Sequence, residues 1–490
     1  MMKLEETLTR VDYKLRGVDI AGLTINDITD HSGQVKQGSL FVAIDGYTAD
    51  GHEFIDQAVK LGAVAVIGEK SVPNLSVPYI EVNNSREAIG QIAKAFYRDP
   101  LQYKKVIGVT GTNGKTTTSH LIHHLLQSSG VSTSLIGTAR CVINSETFTN
   151  SQTTPSVLEL YKHFYNSHDD VVVLEVSSHG LAQYRLVGVQ FDYAIFTNLT
   201  YEHLDYHKDM EEYYSVKKQL FNQLTPKGQA IVNIDNEWGK RLYHELKQEN
   251  KECIGIGRQT SADVVMKELV SVGNPSVTIQ LNHETYHLTW SMLGIHNLYN
   301  LVLAYITGSA ILKKHEQLQQ LLPAFPGVPG RFEHSELPSG SKVVIDYAHT
   351  PDAIKEVLLT INEAKPKRVT HILGFKANRD ESKREDMIKN SLEYSDVTIL
   401  TTGDLDDFSQ QEMTSHLNQY KTEFSKDQIE VVENRLEAIK GALTNSHKDD
   451  WVVITGQGHK QYQQPNELRT QSDQETIEYL RKHLSVEQPY

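Results

Sequence analysis

Two cysteines in 490 residues exclude a disulfide framework and any thiolate metal site of the usual kind. Cys141 and Cys253 stand far apart in sequence, so a reduced, cytoplasmic setting is the simplest reading. Long apolar runs are missing too: no stretch approaches the ~20 uninterrupted apolar residues of a membrane span. The opening "MMKLEETLTRVDYKL" is charged throughout and lacks the apolar core of a secretion signal. Basic stripes are absent, and 62 Asp and Glu against 48 Lys and Arg leave a formal net charge of -14. That balance argues against nucleic-acid partners. It leaves room for an anionic small molecule, which needs only a local cluster of donors. Internal repeats and low-complexity tracts are also lacking.

What is present is a globular composition, 39% hydrophobic and 22% charged. The length implies roughly three domains at about 150 residues each. We expect an α/β chain divided at 1–103, 104–329 and 330–490. The first stretch alternates short strand and helix patterns: "SLFVAIDG", "HEFIDQAVKLGA", "VAVIGEK", "YIEVNN". "YRDPLQYKK" (97–105) breaks the rhythm as a hinge would. From 106 the strands lengthen: "VIGVTG", "VVVLEVSS", "YAIFTNLT" and "QAIVNIDN" read as a buried parallel sheet. "SVTIQL" and "TYHLTW" look like an added antiparallel hairpin. "PAFPGVPGRFE" (323–333) marks the second boundary. Beyond it, "KVVIDYA", "VTHILGF", "DVTILTTGD", "IEVVEN" and "DWVVITGQG" predict a Rossmann-like α/β unit.

"VIGVTGTNGKTTT" (106–118) reads as strand, phosphate loop and helix. The strict pattern GxxxxGK[ST] is not met, because Val109 stands where its first glycine belongs. Gly111, Thr112, Asn113, Gly114, Lys115, Thr116 and Thr117 still supply what a polyphosphate needs: backbone N–H groups, a helix N-terminus, a lysine and a hydroxyl for Mg²⁺. Leu121, Ile122, Leu125 and Leu126 share one face of the following helix, with Gly130 as its cap. A glycine turn with a surface lysine is the bland alternative. Nucleotide binding is the stronger reading.

Glu175 ends the apolar "VVVLEVSSHG", at the strand edge where ligands sit in open parallel sheets. A carboxylate there suits a hard cation; an exposed strand-end glutamate is the alternative. In "NLTYEHLDYH", His203 and His207 are four residues apart and could share a helical face. Zinc would need a third nitrogen or sulfur ligand, and none is near in sequence.

Together, "GVTGTNGKTTT", "TTP" (153–155), "LEVSSHGLAQYR", "FTNLTYEHLDYH", "GIHNLYN" (294–300), "GRFE" (330–333) and "DYAHTPD" (346–352) resemble the Mur ligases. These are ATP-dependent amide-forming enzymes of peptidoglycan precursor synthesis, and the seven runs occur in the family's order across the chain. The N-terminal "GSLFVAIDGYTADGHEFIDQAVKLGAVAVI" and "SSHGLAQYR" are most similar to the branch that adds the third residue to UDP-N-acetylmuramoyl-L-alanyl-D-glutamate. The resemblance implies ATP and Mg²⁺ as cofactors, that UDP-muramoyl dipeptide and a free amino acid as partners, and a cytoplasmic monomer with neither nucleic acid nor membrane bound. A folylpolyglutamate synthetase is a rival reading, opposed by the first hundred residues. A nucleotide-binding paralogue without turnover is another.

By resemblance, Lys115 meets the β- and γ-phosphates, and Thr116, Glu175, His203 and Lys217 hold magnesium, Lys217 as an N6-carboxylated side chain. Lys218 is its neighbour and rival. Lys115, Lys217 and His203 thus become the catalytic set. Asn297 and Asn300 approach adenine, while Arg331 and Asp346 bring phosphate and ribose contacts. Ser32, Tyr47, Thr48 and Ala49, with Thr153, Thr154, Ser177, Gln183 and Arg185, are expected at the UDP-muramoyl dipeptide. Where the family commonly has Asp-Ser-Arg, this chain has His31-Ser32-Gly33, so one contact on the uridine side is either absent or supplied elsewhere.

The amino-acid site departs further. Arg379 matches a family substrate arginine. The Asp-Asn-Pro-Arg of diaminopimelate-adding enzymes falls on Gly403-Asp404-Leu405-Asp406, with Asp407 beside it. The family's Gly-Lys-Gly-His-Glu reads Gly456-Gln457-Gly458-His459-Lys460. Arginine has become Asp406 and glutamate has become Lys460, with Gly456 retained. These reversals lead us to expect a diamino acid with a cationic side chain, such as L-lysine or L-ornithine, and rejection of meso-diaminopimelate.

Overall fold

The computed structural model describes residues 1–46, 49–72, 75–150, 152–376, 381–405, 408–463 and 466–483. The chain forms two compact units. One comprises 1–110, 130–195 and 215–230; the other comprises 111–129, 196–214 and 231–490.

In the first unit, residues 13–82 build a five-stranded sheet in the order Tyr13–Arg16, Tyr79–Val82, Ala63–Gly68, Ser39–Val42, Asp27–Thr29. All its pairings are parallel except that of the edge strand Tyr13–Arg16. Helix Ile55–Leu61 stops at Gly62, whose φ of 112° no side chain adopts easily. Helix Ser85–Phe96 starts where the Asn84 side chain accepts the Glu87 N–H. Five neighbouring strands of a larger sheet run Glu146–Phe148, Cys141–Ile143, Thr133–Ile136, Val171–Glu175, Lys105–Thr110 in this unit. The last three of these are parallel, and all five residues of Val171–Glu175 are buried, as the continuous apolar run implied.

In the second unit, helix Lys115–Ser128 follows the phosphate loop and buries Leu121, Ile122, Leu125 and Leu126 completely. It packs against helix Ile295–Leu312. Among the described residues that helix is the one long and apolar enough to cross a membrane, yet 67% of it is buried inside the protein. The expected hairpin is present, Ser276–Leu281 pairing antiparallel with Glu284–Thr289. It closes on Asn282 and His283, both at positive φ, the geometry of a two-residue type I′ turn.

The last part of this unit is a six-stranded sheet ordered Glu333–Glu336, Lys342–Asp346, Trp451–Thr455, Val369–Phe375, Val397–Thr402, Ile429–Val431. Only the first pairing is antiparallel. The chain leaves Lys342–Asp346, skips one position to Val369–Phe375, and fills the gap last with Trp451–Thr455. The carboxyl ends of those two neighbours therefore form a topological switch point, where open α/β sheets hold ligands. Beneath it Arg435 and Asp473 form a buried ion pair, with N–H donors 2.7 and 2.8 Å from the carboxylate oxygens.

One local expectation fails. His203 and His207 share no helical face, because residues 201–209 are irregular backbone, bends and a short turn, and helix starts only at Met210. His203 sits at φ 59°, a conformation that stops a helix, and the His207 N–H closes a single turn onto its carbonyl at 2.8 Å.

Candidate functional site

The phosphate loop is held from below by the segment 197–200. Thr112 N–H donates to the Asn198 carbonyl and Asn113 N–H to the Asn198 side chain, both at 2.9 Å. The Thr197 hydroxyl donates to the Asn113 carbonyl at 2.6 Å. Gly111 and Gly114 are required here by space as well as by conformation. A Cβ on Gly111 would lie 1.9 Å from the Thr197 hydroxyl, and one on Gly114 would lie 2.3 Å from Asn300 Oδ1. Lys115 folds back so that its ammonium donates to the Gly111 and Thr112 carbonyls at 2.8 Å. That posture places a cation over the cradle where a terminal phosphate would arrive.

A cavity of about 350 Å³ opens beside the loop. Asn113, Gly114 and Thr117 line one wall, Asn297 and Asn300 another. Arg331 and Asp346 complete it. The asparagines are fixed in series: Asn297 donates to the Leu293 carbonyl, Asn300 to Asn297, and Thr118 to Asn300. Arg331 reaches the Thr116 hydroxyl at 3.3 Å and lies over the Tyr347 ring. Asp346 accepts the Phe332 and Ala348 N–H groups at 2.7 and 2.6 Å; its burial nevertheless raises its carboxyl pKa.

Several residues here carried no signal of their own in the sequence. Asp352 accepts from Asn113, and His349 lies 3.1 Å from the buried Glu202. Burial alone would raise the Glu202 carboxyl, but the His349 bond and the His203 charge outweigh it and hold it low. Both Asp352 and His349 stand inside the quoted "DYAHTPD", so the run was visible although the individual roles were not. His296 also lines the cavity, and burial lowers it to about 4, leaving a neutral imidazole there at neutral pH.

In the first unit, five residues expected at the dipeptide come together. The Thr138 hydroxyl donates to Thr153, and Thr154 shares a 3.0 Å bond with Ser177. Arg185 donates to the Thr154 carbonyl at 2.6 Å and to Gln183. Glu175 is fully buried beside them and accepts both the N–H and the hydroxyl of Thr138 at 3.0 Å. Lys217 is 1% exposed, among the largest fully buried side chains, whereas Lys218 is half-buried. Ser32 opens a short 3-10 turn in which the His31 ring accepts the Gly33 N–H. Ala49 accepts the Gly46 N–H. Tyr47, Thr48, Arg379, Asp406 and Asp407 lie outside the described residues.

Among the described residues, no three His, Cys, Asp or Glu side chains converge as a metal-holding group. The expected magnesium donors include a hydroxyl and a modified lysine, which such a grouping leaves out. In the first unit, the buried Glu175 carboxylate and the interior placement of Lys217 suit a hard, oxygen-seeking cation; in the second, the Thr116 hydroxyl is an oxygen donor of the same kind.

A glycine loop opening a helix, a basic side chain over it and an α/β layer carrying an arginine and an aspartate are the parts of a nucleotide-binding enzyme. Known proteins narrow this. Residues 24–97 match the model described as Mur ligase family, catalytic domain; 109–308 match the Mur ligase middle domain; 330–458 match the Mur ligase, glutamate ligase domain. The UDP-N-acetylmuramoyl-L-alanyl-D-glutamate–2,6-diaminopimelate ligase of Bacillus velezensis is 36% identical over 474 residues, covering 94% of this chain and 95% of that protein. The protein of the same name from Chlorobium phaeobacteroides is 35% identical, covering 94% and 93%. A solved structure of such a ligase superposes with TM-score 0.67 at 26% identity, covering 95% and 96%. The MurF ligase of Thermotoga maritima in complex with ADP shares the fold, with TM-score 0.63 at 21% identity. The chain belongs to the Mur ligase family, and it is an ATP-dependent, magnesium-assisted ligase that forms amide bonds.

Proposed function

We propose that this enzyme joins a diamino acid to UDP-N-acetylmuramoyl-L-alanyl-D-glutamate, in the cytoplasm and as a monomer, during peptidoglycan precursor synthesis. The observation that carries the reading is the end-to-end match to relatives named for that substrate, first hundred residues included. Folylpolyglutamate synthase structures share the fold at 16% identity but cover 76% of this chain. We take 1–103 as the UDP-muramoyl domain, 104–329 as the ATP domain and 330–490 as the domain of amino-acid and nucleotide contacts.

A carboxylate cannot form an amide directly, because its oxygen is a poor leaving group. The γ-phosphoryl group of ATP passes to a carboxylate oxygen of the dipeptide; a new P–O bond forms and ADP leaves. The amine nitrogen then attacks the acyl carbon. The C–N bond forms, inorganic phosphate departs with the acyl oxygen, and the amine gives up its proton. Lys115 neutralises phosphate charge during transfer, and Arg331 steadies the same oxygens from the opposite wall. Asn297 and Asn300 orient the base, and Asp346 the ribose. Thr116, Glu175, His203 and a carbamate on Lys217 would hold magnesium, which supplies charge neutralisation at the phosphates. The carbamate turns a buried cation into an anionic oxygen donor, consistent with Lys217 being the interior member of the lysine pair. Ser32, Thr153, Thr154, Ser177, Gln183 and Arg185 bind the UDP-muramoyl dipeptide, and holding three reactants together supplies much of the rate.

The relatives are named for 2,6-diaminopimelate. They therefore lend no support to a preference for lysine, whose basis was the charge of Asp406 and Lys460. A diamino acid is the reading common to both lines. Phosphate release with and without the dipeptide, across a panel of amino acids, tests it. Release that ignores the dipeptide would sink the assignment.

A further inference from the structure

The strands Thr133–Ile136 and Val171–Glu175 are parallel neighbours, with Leu174 opposite Ile136. Their carboxyl ends therefore bring residues 137 and 138 beside Glu175, at the sheet edge where ligands bind. Gly137 leaves room for the carboxylate, since a Cβ there would lie 2.1 Å from Glu175 Oε1. Thr138 then grips both carboxylate oxygens. Its N–H donates to Oε1 and its hydroxyl to Oε2, each at 3.0 Å. Two bonds from one residue to the two oxygens set the plane of the carboxylate as well as its position, and bonds to an ionised acceptor are the stronger kind.

Three side chains from further along the chain reach the same strand ends. Asn150 donates to the Gly137 carbonyl at 3.3 Å, and the Thr154 hydroxyl donates to the Glu175 carbonyl at 2.9 Å. Between them, Thr153 accepts from the Thr138 hydroxyl at 3.0 Å. A hydroxyl has one proton, so Thr138 shares it between the carboxylate and Thr153 as a three-centre bond. Glu175 is expected at magnesium and Thr153 at the dipeptide, whereas Thr138 belongs to neither set. It stands in "LIGTAR", outside every run that carried a signal in the sequence.

We propose that Thr138 is a positioning residue that holds the magnesium carboxylate, Glu175, and the dipeptide-binding hydroxyl, Thr153, in fixed register. The inference rests on the reading of those two residues given above and goes beyond it by naming what sets their geometry. Groups that hydrogen-bond a ligating carboxylate orient it toward its metal, and losing one costs about 10–100-fold in metal affinity. Amide formation through an acyl phosphate needs the metal and the dipeptide aligned. One side chain here ties a donor for the first to a contact for the second.

The test compares the unaltered enzyme with Thr138→Val, Thr138→Ser and Glu175→Gln. Mn²⁺ binding to the ADP complex is followed by electron paramagnetic resonance. Binding of UDP-N-acetylmuramoyl-L-alanyl-D-glutamate is followed by calorimetry in EDTA, so neither readout needs turnover. Glu175→Gln should weaken one class of Mn²⁺ site. Thr138→Val keeps the N–H and the shape but loses the hydroxyl. It should weaken the same class about tenfold, the lower end of such effects because the N–H bond remains. Metal-free dipeptide binding should fall about two- to tenfold, as for one lost hydrogen bond. Thr138→Ser should restore both. Should Thr138→Val fail to fold, Thr138→Cys, similar in size and only a weak donor, takes its place. If the hydroxyl-free variant keeps its Mn²⁺ affinity while Glu175→Gln loses it, the proposal falls and the metal reading stands; a loss confined to one of the two ligands also overturns the proposal. Unchanged Mn²⁺ binding in Glu175→Gln overturns the metal reading and the proposal with it.

Discussion

Gly114→Ala should cripple nucleotide binding far more than it destabilises the fold. Gly114 sits at φ 84°, where any other residue costs about 1–2 kcal/mol. The added methyl would also stand 2.3 Å from Asn300 Oδ1 and 3.1 Å from its Cγ. Asn300 cannot step aside without cost, because it accepts from Thr118 and donates to Asn297, and each such bond is worth about 0.5–1.5 kcal/mol. Strain and lost bonds together come to about 2–5 kcal/mol. Much of that falls on the geometry of the cavity wall, so ATP affinity should drop about thirtyfold or more. Gly130→Ala is the control. It has the same φ of 84° but nothing within 4 Å of the new Cβ. It should cost only the backbone share and leave ATP binding unchanged. Titration calorimetry with a non-hydrolysable ATP analogue, paired with urea unfolding, separates the two. If Gly114→Ala and Gly130→Ala lose affinity equally, or if neither does, the contact with Asn300 is not what makes glycine necessary.

Lys217→Ala should abolish most turnover and be partly rescued by small carboxylic acids, whereas Lys218→Ala should stay active; phosphate-release rates decide. Lys115→Ala should lose turnover but keep its near-ultraviolet circular dichroism, since its ammonium serves the loop and not the core. His371 is fully buried between Ser391 and Thr455, and burial lowers it to about 3. Its folded pKa lies below its unfolded value near 6.5, so stability is full above pH ~6.5 and falls as pH drops toward 3. Urea midpoints across that window should decline less steeply in His371→Gln, by up to ~1.4 kcal/mol per pH unit. Arg435→Met should cost ~3–5 kcal/mol by leaving the Asp473 charge buried with the Tyr462 hydroxyl but no cation, and adding Asp473→Leu should return much of it; equal destabilisation in both variants would contradict that.

The phosphate loop, the parallel strands and the hairpin were legible because each is written locally. Apolar runs set the strands, and glycines with a following lysine set the loop. The placing of Thr153, Ser177 and Arg185 in one cluster was legible only through resemblance, since contacts across thirty residues leave no periodic mark. His203 and His207 misled because spacing of four implies a helix only where the backbone permits one, and His203 at positive φ does not. The amino-acid site was the hardest to read. Charges at Asp406 and Lys460 were visible, but Asp404 being neutralised by a lysine twenty-eight residues earlier was not. A sequence lists charges; it does not say which are already paired.

Helix Ile295–Leu312 has a consequence for how the chain is made. Emerging from a ribosome, those eighteen residues carry the composition of a membrane segment. Their cover, the helix Lys115–Ser128, has by then been synthesised for well over a hundred residues, and domains tend to form in order of synthesis. The apolar stretch therefore meets a waiting surface as soon as it clears the exit tunnel. Asn297 and Asn300 are polar groups that are costly to place in lipid, and the Thr118 hydroxyl on the covering helix donates to Asn300, which weights the choice toward that surface. The two asparagines that line the nucleotide cavity thus also make this helix a poorer membrane segment than its apolar length suggests.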